Sequence, residues 1–486
     1  MDSTATSPTP TLEFDANFVG GSWDRSAASR LDVIDPAHGT RVGSAPDSDA
    51  ADVDRAVRAA RRAFDEGPWP RLSPQERAEW LERLADEVAR RGGDNAAVVT
   101  AEMGQPIQFS RVASTHLPAA YLRYYAQLAR ETSVEQERPK ASGPGTTVIR
   151  YEAVGVAALI IPWNFPQVQL FGKLAPALAA GCTTVIKPAP ETPLDALLIA
   201  RAAEAIGFPA GVINVVTGAT AAGRALVEHD GVDKVSFTGS TAAGRTIATA
   251  CAQRLIPVTL ELGGKSAAIV LDDADLDETV ATLRTSSFFN TGQTCFLLSR
   301  VLVPRARQRE LTDALVAAAE SLRIGDPRDE DTEIGPLASE RIRTRVTDMV
   351  TAARTAGARV LTGGGAPRDR GGNYFAPTIL DDLSPRDPIA QDEVFGPVVT
   401  VLAYEDVDDA VRIANDTRYG LGGAVFSTDA HRALEVARRV ETGTIGVNHY
   451  APDMNAPFGG VKDSGLGREL GIEGMRAFQT IKSVYL

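Results

Sequence analysis

The sequence predicts an α/β fold with a doubly wound parallel sheet, a second α/β domain and a small β element. Two observations predict the two large parts. Apolar strand-like runs and helix-like segments alternate four times between residues 154 and 263, joined by short loops rich in Gly and Pro. A similar series of strand–helix units follows residue 263. Such alternation is typical of parallel sheets covered by helices on both faces, and 486 residues suffice for two or three domains.

Two helices are predicted before the first series, over residues 51–66 and 74–92, because both segments are rich in Ala, Arg, Glu and Leu. Ser73 is the expected N-cap of the second helix, since Pro74 follows in the first turn and Glu76 lies three residues after the cap.

The first series supplies five predicted strands. Ligands of parallel sheets bind beyond the carboxyl ends of the strands, so the loops at 162–167, 188–192 and 238–241 are candidates for a binding site. The strand runs are "VGVAALIIP" (154–162), "CTTVIKPA" (182–189), "GVINVVTG" (211–218), "KVSFTGS" (234–240) and "PVTLELGG" (257–264).

The second series predicts four further strand–helix units. They are "SAAIVLDDADLDETV" (266–280), "SRVLVPRARQRELTDALVAAAE" (299–320), "VVTVLAYEDVDDAVRIAND" (398–416) and "GGAVFSTDAHRALEVARRV" (422–440).

Two segments predict the small β element. "TVIRYEAVG" at 147–155 alternates with period two, which indicates a strand with one solvated or edge-pairing face. The last nine residues, "FQTIKSVYL", form a strand-like run with no helix to cover it. An uncovered terminal strand pairs either with another subunit or with a strand of its own chain.

Composition and charge exclude several classes of protein. A net charge of −13 and a pI near 5.1 argue against nucleic acid or an anionic membrane as partner. No run approaches the roughly 18–20 apolar residues of a membrane span. Three cysteines are too few for a disulfide framework, which favours the reducing cytoplasm. Residues 1–13 lack the features of a signal peptide and are predicted as a disordered tail.

Two common kinds of site are predicted to be absent. "GGKS" at 263–266 resembles the end of a phosphate-binding P-loop, but Thr259 stands where that motif requires its first glycine. The five histidines form neither an HExxH motif nor a short-spaced pair with cysteine, so no metal site is expected.

Cys295 differs from the other two cysteines. It lies in "NTGQTCF", a stretch unlike a packed helix or strand, whereas Cys182 begins an apolar run and Cys251 lies in an Ala-rich helix. Free cysteine is usually a small buried hydrophobe, and that reading is preferred for Cys182 and Cys251. Cys295 is the candidate nucleophile.

Three other features surround this candidate. Glu261 ends an apolar strand just before two glycines, where partial burial would raise its pKa and make it a usable base. Asn164 lies in "PWNFP", where it is either a turn former or an oriented donor to an anion. "GSTAAG" at 239–244 is either a tight turn or a pyrophosphate site at a helix N-terminus, with Ser240 as a donor.

Taken together, the motifs resemble those of the aldehyde dehydrogenase superfamily. "PWNFP", "FTGST", "LELGGKS", "GQTC", "EVFGPV" and "PFGGVKDSGLGRE" occur in the family's order and approximate spacing, from about residue 18 to the C-terminus. The resemblance implies that Cys295 adds to an aldehyde, that Asn164 and the Cys295 backbone N–H stabilise the oxyanion, and that Glu261 activates water to hydrolyse the thioester.

The resemblance also implies a nicotinamide cofactor, NAD, with NADP tolerated. Lys187 matches the lysine that contacts the adenosine ribose, and Glu393 matches the carboxylate that holds the nicotinamide ribose. Pro190 stands where many NAD-preferring members carry a glutamate, which predicts weak discrimination against NADP. The implied cofactor-binding residues are Ile161, Pro162, Trp163, Lys187, Pro190, Gly239, Ser240, Leu262, Glu393 and Phe395.

By the same resemblance, a mostly aromatic tunnel binds the substrate. It carries no Arg or Lys, which favours an apolar or aromatic aldehyde over a semialdehyde. The implied lining residues are Phe165, Gln169, Phe289, Thr294, Phe296, Tyr450 and Phe458.

Family likeness also suggests a domain division and a homodimer or homotetramer. A cofactor-binding domain comprises 14–128 and 152–262, a catalytic domain 263–463, and an oligomerisation element 129–151 and 464–486. Two alternatives stay open: a CoA-acylating or semialdehyde dehydrogenase on the same fold, and a binding protein that has lost turnover.

Overall fold

The computed structural model describes residues 11–486, so most of the predicted N-terminal tail lies outside the described residues. The strands in chain order are β1 (Leu12–Glu13), β2 (Asn17–Val19), β3 (Ser22–Asp24), β4 (Ser29–Ile34), β5 (Arg41–Asp47), β6 (Glu135–Pro139), β7 (Thr146–Ala153), β8 (Val156–Ile160), β9 (Thr183–Lys187), β10 (Ile213–Val215), β11 (Lys234–Thr238), β12 (Val258–Glu261), β13 (Ser266–Val270), β14 (Leu298–Pro304), β15 (Arg359–Thr362), β16 (Thr378–Asp381), β17 (Val398–Tyr404), β18 (Gly423–Phe426), β19 (Gly446–Val447), β20 (Gly465–Leu466) and β21 (Gln479–Tyr485).

The helices alternate with these strands through most of the chain. They are α1 (Ala50–Asp65), α2 (Pro74–Arg90), α3 (Gly92–Met103), α4 (Ile107–Arg111), α5 (Leu117–Glu131), α6 (Pro166–Ala180), α7 (Leu194–Ala205), α8 (Thr220–Glu228), α9 (Thr241–Arg254), α10 (Leu276–Phe288), α11 (Gln308–Glu320), α12 (Glu340–Thr355), α13 (Pro388–Gln391), α14 (Val407–Asn415), α15 (Ala430–Ala437) and α16 (Gly471–Arg476).

The first large sheet has the strand order β20-β12-β11-β8-β9-β10-β2-β3. Its five central strands, β12 to β10 in that order, are parallel, as the sequence predicts. The central strand β8 is buried on both faces: Ala157 and Leu159 pack into one core cluster, and Val156 and Ala158 pack into another. A sheet covered on both sides needs such continuous apolar strands.

The second large sheet has the order β15-β16-β17-β14-β13-β18-β19 and is parallel except for the edge strand β15. Alternate residues of β13 again enter two cores, with Ala268 and Val270 on one face and Ala267 and Ile269 on the other. The prediction of a second α/β unit after residue 263 is confirmed.

The two helices predicted near the N-terminus are α1 and α2, whose bounds differ from the prediction by one or two residues. The capping box of α2 is present: the Glu76 backbone N–H donates to the Ser73 hydroxyl (3.2 Å), and the Ser73 N–H donates to the Glu76 carboxylate (2.7 Å).

The C-terminal strand β21 pairs antiparallel with β7 of the same chain, from Gln479 opposite Ala153 to Tyr485 opposite Thr147. Of the two pairings considered for this strand, the intrachain one is therefore formed. With β6 it makes a three-stranded sheet apart from the two large ones. Residues 480–486 lie mostly exposed along its free edge.

Two boundaries differ from the sequence prediction. The predicted tail extends too far, because Leu12 and Glu13 form β1 and pair in parallel with Gly43 and Ser44 of β5. The half-buried Leu12 packs against the core, and this contact holds the strand. In addition, β20 joins the edge of the first large sheet, although it lies in the segment assigned to the small β element.

Within residues 11–486, no helix has the length and apolar character to cross a membrane.

Candidate active site

Cys295 lies in a buried irregular loop between α10 and β14. Asn290 (φ 51°) and Thr291 (φ 55°) are both left-handed, a conformation that costs about 1–3 kcal/mol for a β-branched residue such as Thr. Gly292 follows with φ 74°, and a Cβ there would lie 2.0 Å from the Gly396 carbonyl carbon. Tight contacts thus hold the cysteine on a fixed backbone.

The other two cysteines occupy packed positions, as predicted. Cys182 is fully buried before β9, and its thiol donates to the Phe478 carbonyl (3.3 Å). Cys251 is fully buried within α9.

Asn164 lies in the loop between β8 and α6, and its contacts tie that loop to the cysteine loop. Its Nδ2 donates to the Gln293 carbonyl (2.9 Å), and its own carbonyl accepts from Asn290 Nδ2 (2.9 Å). Because Nδ2 carries two hydrogens, one N–H of Asn164 is left for a ligand.

Glu261 is the last residue of β12, at the carboxyl edge where the sequence places it. The connection that follows it lies against the cysteine loop, since a Cβ on Gly264 would be 2.2 Å from the Cys295 carbonyl oxygen. Within the described chain, neither buried carboxyl oxygen of Glu261 has a hydrogen-bond partner. These oxygens remain available to a water molecule or a substrate.

A buried ion pair lies close to Glu261. Lys173 of α6 contacts the Glu469 carboxylate at 2.7 Å, and the two side chains are 0% and 9% exposed. The Lys173 ammonium also donates to the Thr238 hydroxyl (2.6 Å), and Ser236 donates to Glu469 (3.2 Å). The charges of Glu469 and Lys173 act on Glu261, as does that of Arg468.

Most predicted cofactor residues lie along the carboxyl edge of the first sheet, at the ends of four neighbouring strands. Ser240 caps α9 by accepting from the Ala243 N–H (3.3 Å), so its own O–H can donate to a ligand at that helix end. The strand ends carry Ile161, Pro162 and Trp163 after β8, Lys187 and Pro190 at and after β9, Gly239 and Ser240 after β11, and Leu262 after β12.

Lys187 and Pro190, predicted to lie near the adenosine ribose, are at the end of β9 and in the loop that follows it. Lys187 is 4% exposed, and its ammonium donates to the Pro188 carbonyl (2.7 Å). Pro190 is exposed, and the neighbouring Glu191 forms an ion pair with Arg341 (3.1 Å).

Glu393 and Phe395 reach the same edge from the second sheet. The Gly264 N–H donates to Glu393 Oε1 at 3.0 Å, which fixes this carboxylate beside the connection after Glu261. Phe395 has φ 62°, and its ring meets that of Trp163 edge-on at 5.4 Å between centroids.

The predicted substrate residues form two aromatic groups. Phe165 stacks on Phe289 at 5.7 Å between ring centroids. Phe296 meets Tyr450 edge-on at 5.6 Å and Phe458 at 6.0 Å. Phe296 and Phe458 pack in the same core cluster as Cys295.

The two polar residues predicted for this tunnel have partners of their own. The side-chain Oε1 of Gln169 accepts from the Thr238 hydroxyl (3.2 Å) and from the Lys173 ammonium (3.4 Å), which places Gln169 beside the ion pair near Glu261. The Thr294 hydroxyl donates to the Phe289 carbonyl (3.4 Å).

Comparison with known proteins gives one consistent result. The model of the "Aldehyde dehydrogenase family" matches residues 23–484. A geranial dehydrogenase of Castellaniella defragrans is 48% identical over 98% of this chain and 99% of that protein. The crystal structure of a Mycobacterium tuberculosis aldehyde dehydrogenase with NAD+ has a TM-score of 0.95, 41% identity and coverage of 98% and 99%. The chain belongs to the aldehyde dehydrogenase family.

A second solved structure agrees with this assignment. The NAD-dependent aldehyde dehydrogenase from Sinorhizobium meliloti has a TM-score of 0.96 at 36% identity and covers 100% of this chain and 97% of that one. The predicted enzyme class is therefore confirmed, and the alternative of a binding protein is set aside.

Burial is the largest cause of the pKa shifts of Cys295 and Glu261 in this aldehyde dehydrogenase. Burial and the nearby charges of Glu393 and Glu261 raise the pKa of the Cys295 thiol well above its usual value, although the N–H groups of Cys295 and Phe296 oppose the shift. Burial and the charge of Glu469 likewise raise the pKa of Glu261.

Burial also shifts the pKa values of two groups predicted for the cofactor site. Burial raises the pKa of Glu393 to about 7, against the opposing effect of the Gly264 N–H. Burial lowers the pKa of Lys187 to about 8, although the charges of Glu191 and Asp47 oppose this change.

Several residues of the site were not predicted from the sequence. Lys173 and Glu469 are almost 300 positions apart, and no local pattern connects them. Asn290 lies in the stretch "NTGQTCF", five positions before Cys295. A polar residue so near the cysteine is the one local signal that could have identified it. Phe109 of α4 meets Phe289 edge-on, with 3.9 Å between the ring centroids, and extends the first aromatic group.

Among residues 11–486, no group of three or more His, Cys, Asp or Glu is arranged to hold a metal ion.

Proposed function

We propose that this aldehyde dehydrogenase oxidises an apolar or aromatic aldehyde to its carboxylic acid through a covalent adduct on Cys295, with NAD as acceptor. One observation supports this most directly: the loop that carries Asn164 and the connection after Glu261 both contact the loop that carries Cys295. Asn164 binds the Gln293 carbonyl, and Gly264 lies against the Cys295 carbonyl. The proposed donor, base and nucleophile are therefore carried by segments that meet at the cysteine loop.

The first step is addition of the Cys295 sulfur to the aldehyde carbon. The thiol is protonated in the resting enzyme because burial raises its pKa, so a base must take its proton before attack. Water is the acceptor in this account, so that Glu261 is left for the hydrolysis step below.

The aldehyde oxygen becomes an oxyanion as the C–S bond forms. The second N–H of Asn164 and the Cys295 backbone N–H are its donors. Loss of one such donor typically costs about 10²–10³ in rate. The resulting thiohemiacetal carries the hydrogen that leaves as hydride.

The residues along the carboxyl edge fit a dinucleotide. When bound, NAD supplies the acceptor for the hydride. Among the described residues the Lys187 ammonium makes one hydrogen bond, so its other donors are kept for a ribose, while Ser240 presents its O–H at the N-terminus of α9. Glu393 offers its second carboxyl oxygen to the other ribose, beside the Trp163 and Phe395 rings.

Hydrolysis of the Cys295 thioester completes the reaction. Glu261 takes a proton from a water molecule, whose oxygen adds to the acyl carbon. The C–S bond then breaks, which releases the acid and returns the thiol. Both Glu261 oxygens are buried without partners among the described residues, which leaves them free to bind that water.

The substrate class is inferred from the aromatic residues predicted to line the tunnel. Phe165, Phe289, Phe296 and Phe458 offer apolar surface, and the residues predicted for this tunnel include no cation to bind a second carboxylate. The similarity to a protein named geranial dehydrogenase supports an apolar aldehyde. A relative named 3-succinoylsemialdehyde-pyridine dehydrogenase, 41% identical, marks the semialdehyde alternative.

The cofactor preference depends on Pro190. Proline offers no carboxylate to accept the ribose 2′-OH or to repel a 2′-phosphate, and Glu191 is engaged by Arg341. NADP is therefore tolerated beside NAD.

We extend the proposal to assembly and domain organisation. The exposed edge of β21, with Ile481 at 64% and Tyr485 at 76% exposure, suits pairing between subunits of a homodimer or homotetramer in the cytoplasm. The first large sheet is the core of the cofactor-binding domain, and the second is the core of the catalytic domain.

A panel of aldehydes assayed with NAD and NADP, each with and without CoA, tests the proposal. Free acid from apolar aldehydes is the expected product in every arm. An acyl-CoA product would identify an acylating enzyme, and a marked preference for carboxylated aldehydes would identify a semialdehyde dehydrogenase.

A further inference from the structure

A chain of buried polar side chains lies behind the loop that carries Asn164. Asn290 donates through Nδ2 to the Asn164 carbonyl (2.9 Å) and accepts at Oδ1 from Gln105 Nε2 (3.2 Å). Gln105 Oε1 accepts from the Ser110 hydroxyl (3.1 Å), which in turn accepts from the Thr100 hydroxyl (2.8 Å). All five residues are at most 3% exposed. The chain joins the N-terminal helices to the reaction centre.

The hydrogen bonds of this chain run in one direction. Thr100 donates to Ser110, and each later member donates to the next until Asn290 donates to the Asn164 backbone. If the Gln105 amide were reversed, its oxygen would face Asn290 Oδ1. The partners therefore fix the orientation of both amides.

Packing alone does not account for these residue types. A buried amide costs free energy unless its partners satisfy it, and an apolar side chain of similar volume would fill the position of Gln105 without that cost. The chain is also neutral, so it can order the loop without placing a charge near the Cys295 thiol.

We propose that Gln105 and Asn290 are positioning residues for aldehyde oxidation: they hold the Asn164 loop so that the free amide N–H faces the developing oxyanion. This inference rests on the proposed function, in which Asn164 is a donor to that oxyanion. Such donors act only within about 2.7–3.1 Å of the oxygen, so a small displacement of the loop weakens catalysis.

Gln105→Leu tests the proposal, because it removes both amide contacts while keeping the side-chain volume. We expect kcat to fall about tenfold, a fraction of the roughly 10²–10³ for losing the donor itself, with KM little changed. Alkylation of Cys295 by iodoacetamide forms no oxyanion, and we expect its rate to stay within about twofold. A parallel fall in alkylation would indicate a disordered loop and would overturn the proposal.

A double-mutant cycle with Asn164→Ala separates positioning from general damage. In the Asn164→Ala enzyme the amide is gone, so adding Gln105→Leu should change kcat by less than about twofold. An undiminished tenfold effect in that background would overturn the inference. Full activity of Asn164→Ala would instead refute the oxyanion role in the proposed function.

Thr100→Val is the second variant, at the far end of the chain, in case Gln105→Leu does not fold. It is expected to lower kcat by a few-fold, because Ser110 loses its donor. Thr312→Val is the matched control: Thr312 is also a buried helical threonine, and its hydroxyl has no partner within residues 11–486. Equal kcat values for the two valine variants would contradict the proposal.

Discussion

Glu261 and Cys295 belong to the proposed active site, but different interactions surround them. Near Glu261 lie charges, namely the buried Lys173–Glu469 ion pair and the Arg468 guanidinium. The loop of Cys295 is held by neutral amides and by the left-handed backbone that begins at Asn290.

The difference follows from what each residue must do. A base needs a tuned pKa, and burial together with nearby charges tunes that of Glu261. A nucleophile beside an oxyanion site needs fixed geometry, which neutral hydrogen bonds provide without further charge. The substitutions below test this division of roles, from the largest expected effect to the smallest.

Replacing Cys295 by Ala should lower turnover by about 10⁴-fold or more, because the loop then carries no thiol to form the covalent adduct. Aldehyde oxidation is followed by absorbance of the reduced nicotinamide, and NAD binding by fluorescence titration. Cys182→Ala is the matched control, since Cys182 is buried in the core and should leave turnover near the wild-type value. Activity retained by Cys295→Ala would require another nucleophile.

Glu261→Gln should lower steady-state turnover by about 10²–10⁴-fold, since it removes the general base. If Glu261 acts mainly on water, rapid mixing should show a burst of reduced nicotinamide near one equivalent, followed by slow release of acid. A loss of the burst as large as the loss of turnover would show that Glu261 is needed first to deprotonate Cys295.

Lys173→Met should destabilise the folded enzyme by about 3–5 kcal/mol, because it leaves the Glu469 carboxylate buried without its cation. Urea unfolding measures this change. The double variant Lys173→Met/Glu469→Leu should recover most of the loss, since it removes both charges. A double variant less stable than the single one would show that the ion pair is not the source of the effect.

Glu469→Gln should shift the acid limb of the kcat profile to lower pH. Glu261 must be deprotonated to act, and burial together with the negative charge of Glu469 raises its pKa. Without that charge, Lys173 and Arg468 lower the pKa further, so the active form persists at lower pH. The exposed Glu473→Gln is the control, and its profile should match the wild type. A shift to higher pH would contradict this account of Glu261.

Pro190→Glu should have the smallest effect, raising the ratio of kcat/KM for NAD over NADP about tenfold, or roughly 1.4 kcal/mol. The new carboxylate would accept the ribose 2′-OH and repel a 2′-phosphate. Pro190→Gln is the neutral control and should change the ratio much less. An equal change in both variants would attribute the effect to loss of the proline ring.

The fold was largely predictable because local sequence patterns, namely apolar runs that alternate with helix-like segments, predict the strands of both large sheets. The apolar runs that become β8, β9 and β11 are buried on both faces, and short loops with Gly and Pro separate them from helices. The pairing of β21 with β7 could not be predicted, because an edge strand accepts a partner from either its own or another chain.

The site was predictable only where its residues lie inside motifs. Cys295 and Glu261 stand out locally, as an exception to a packed segment and as a carboxylate at a strand end. Gln105 and Lys173 do not, since each gains its role from partners more than 180 positions away. Long-range hydrogen bonds of this kind leave no periodic signal in the sequence.

The most direct measurement is intact and peptide mass spectrometry of Glu261→Gln mixed with an apolar aldehyde and NAD. The account predicts that the acyl group accumulates on the peptide containing Cys295, and that this mass is absent from Glu261→Gln/Cys295→Ala. An acyl group on any other residue, or product formation with no covalent adduct at Cys295, would contradict it.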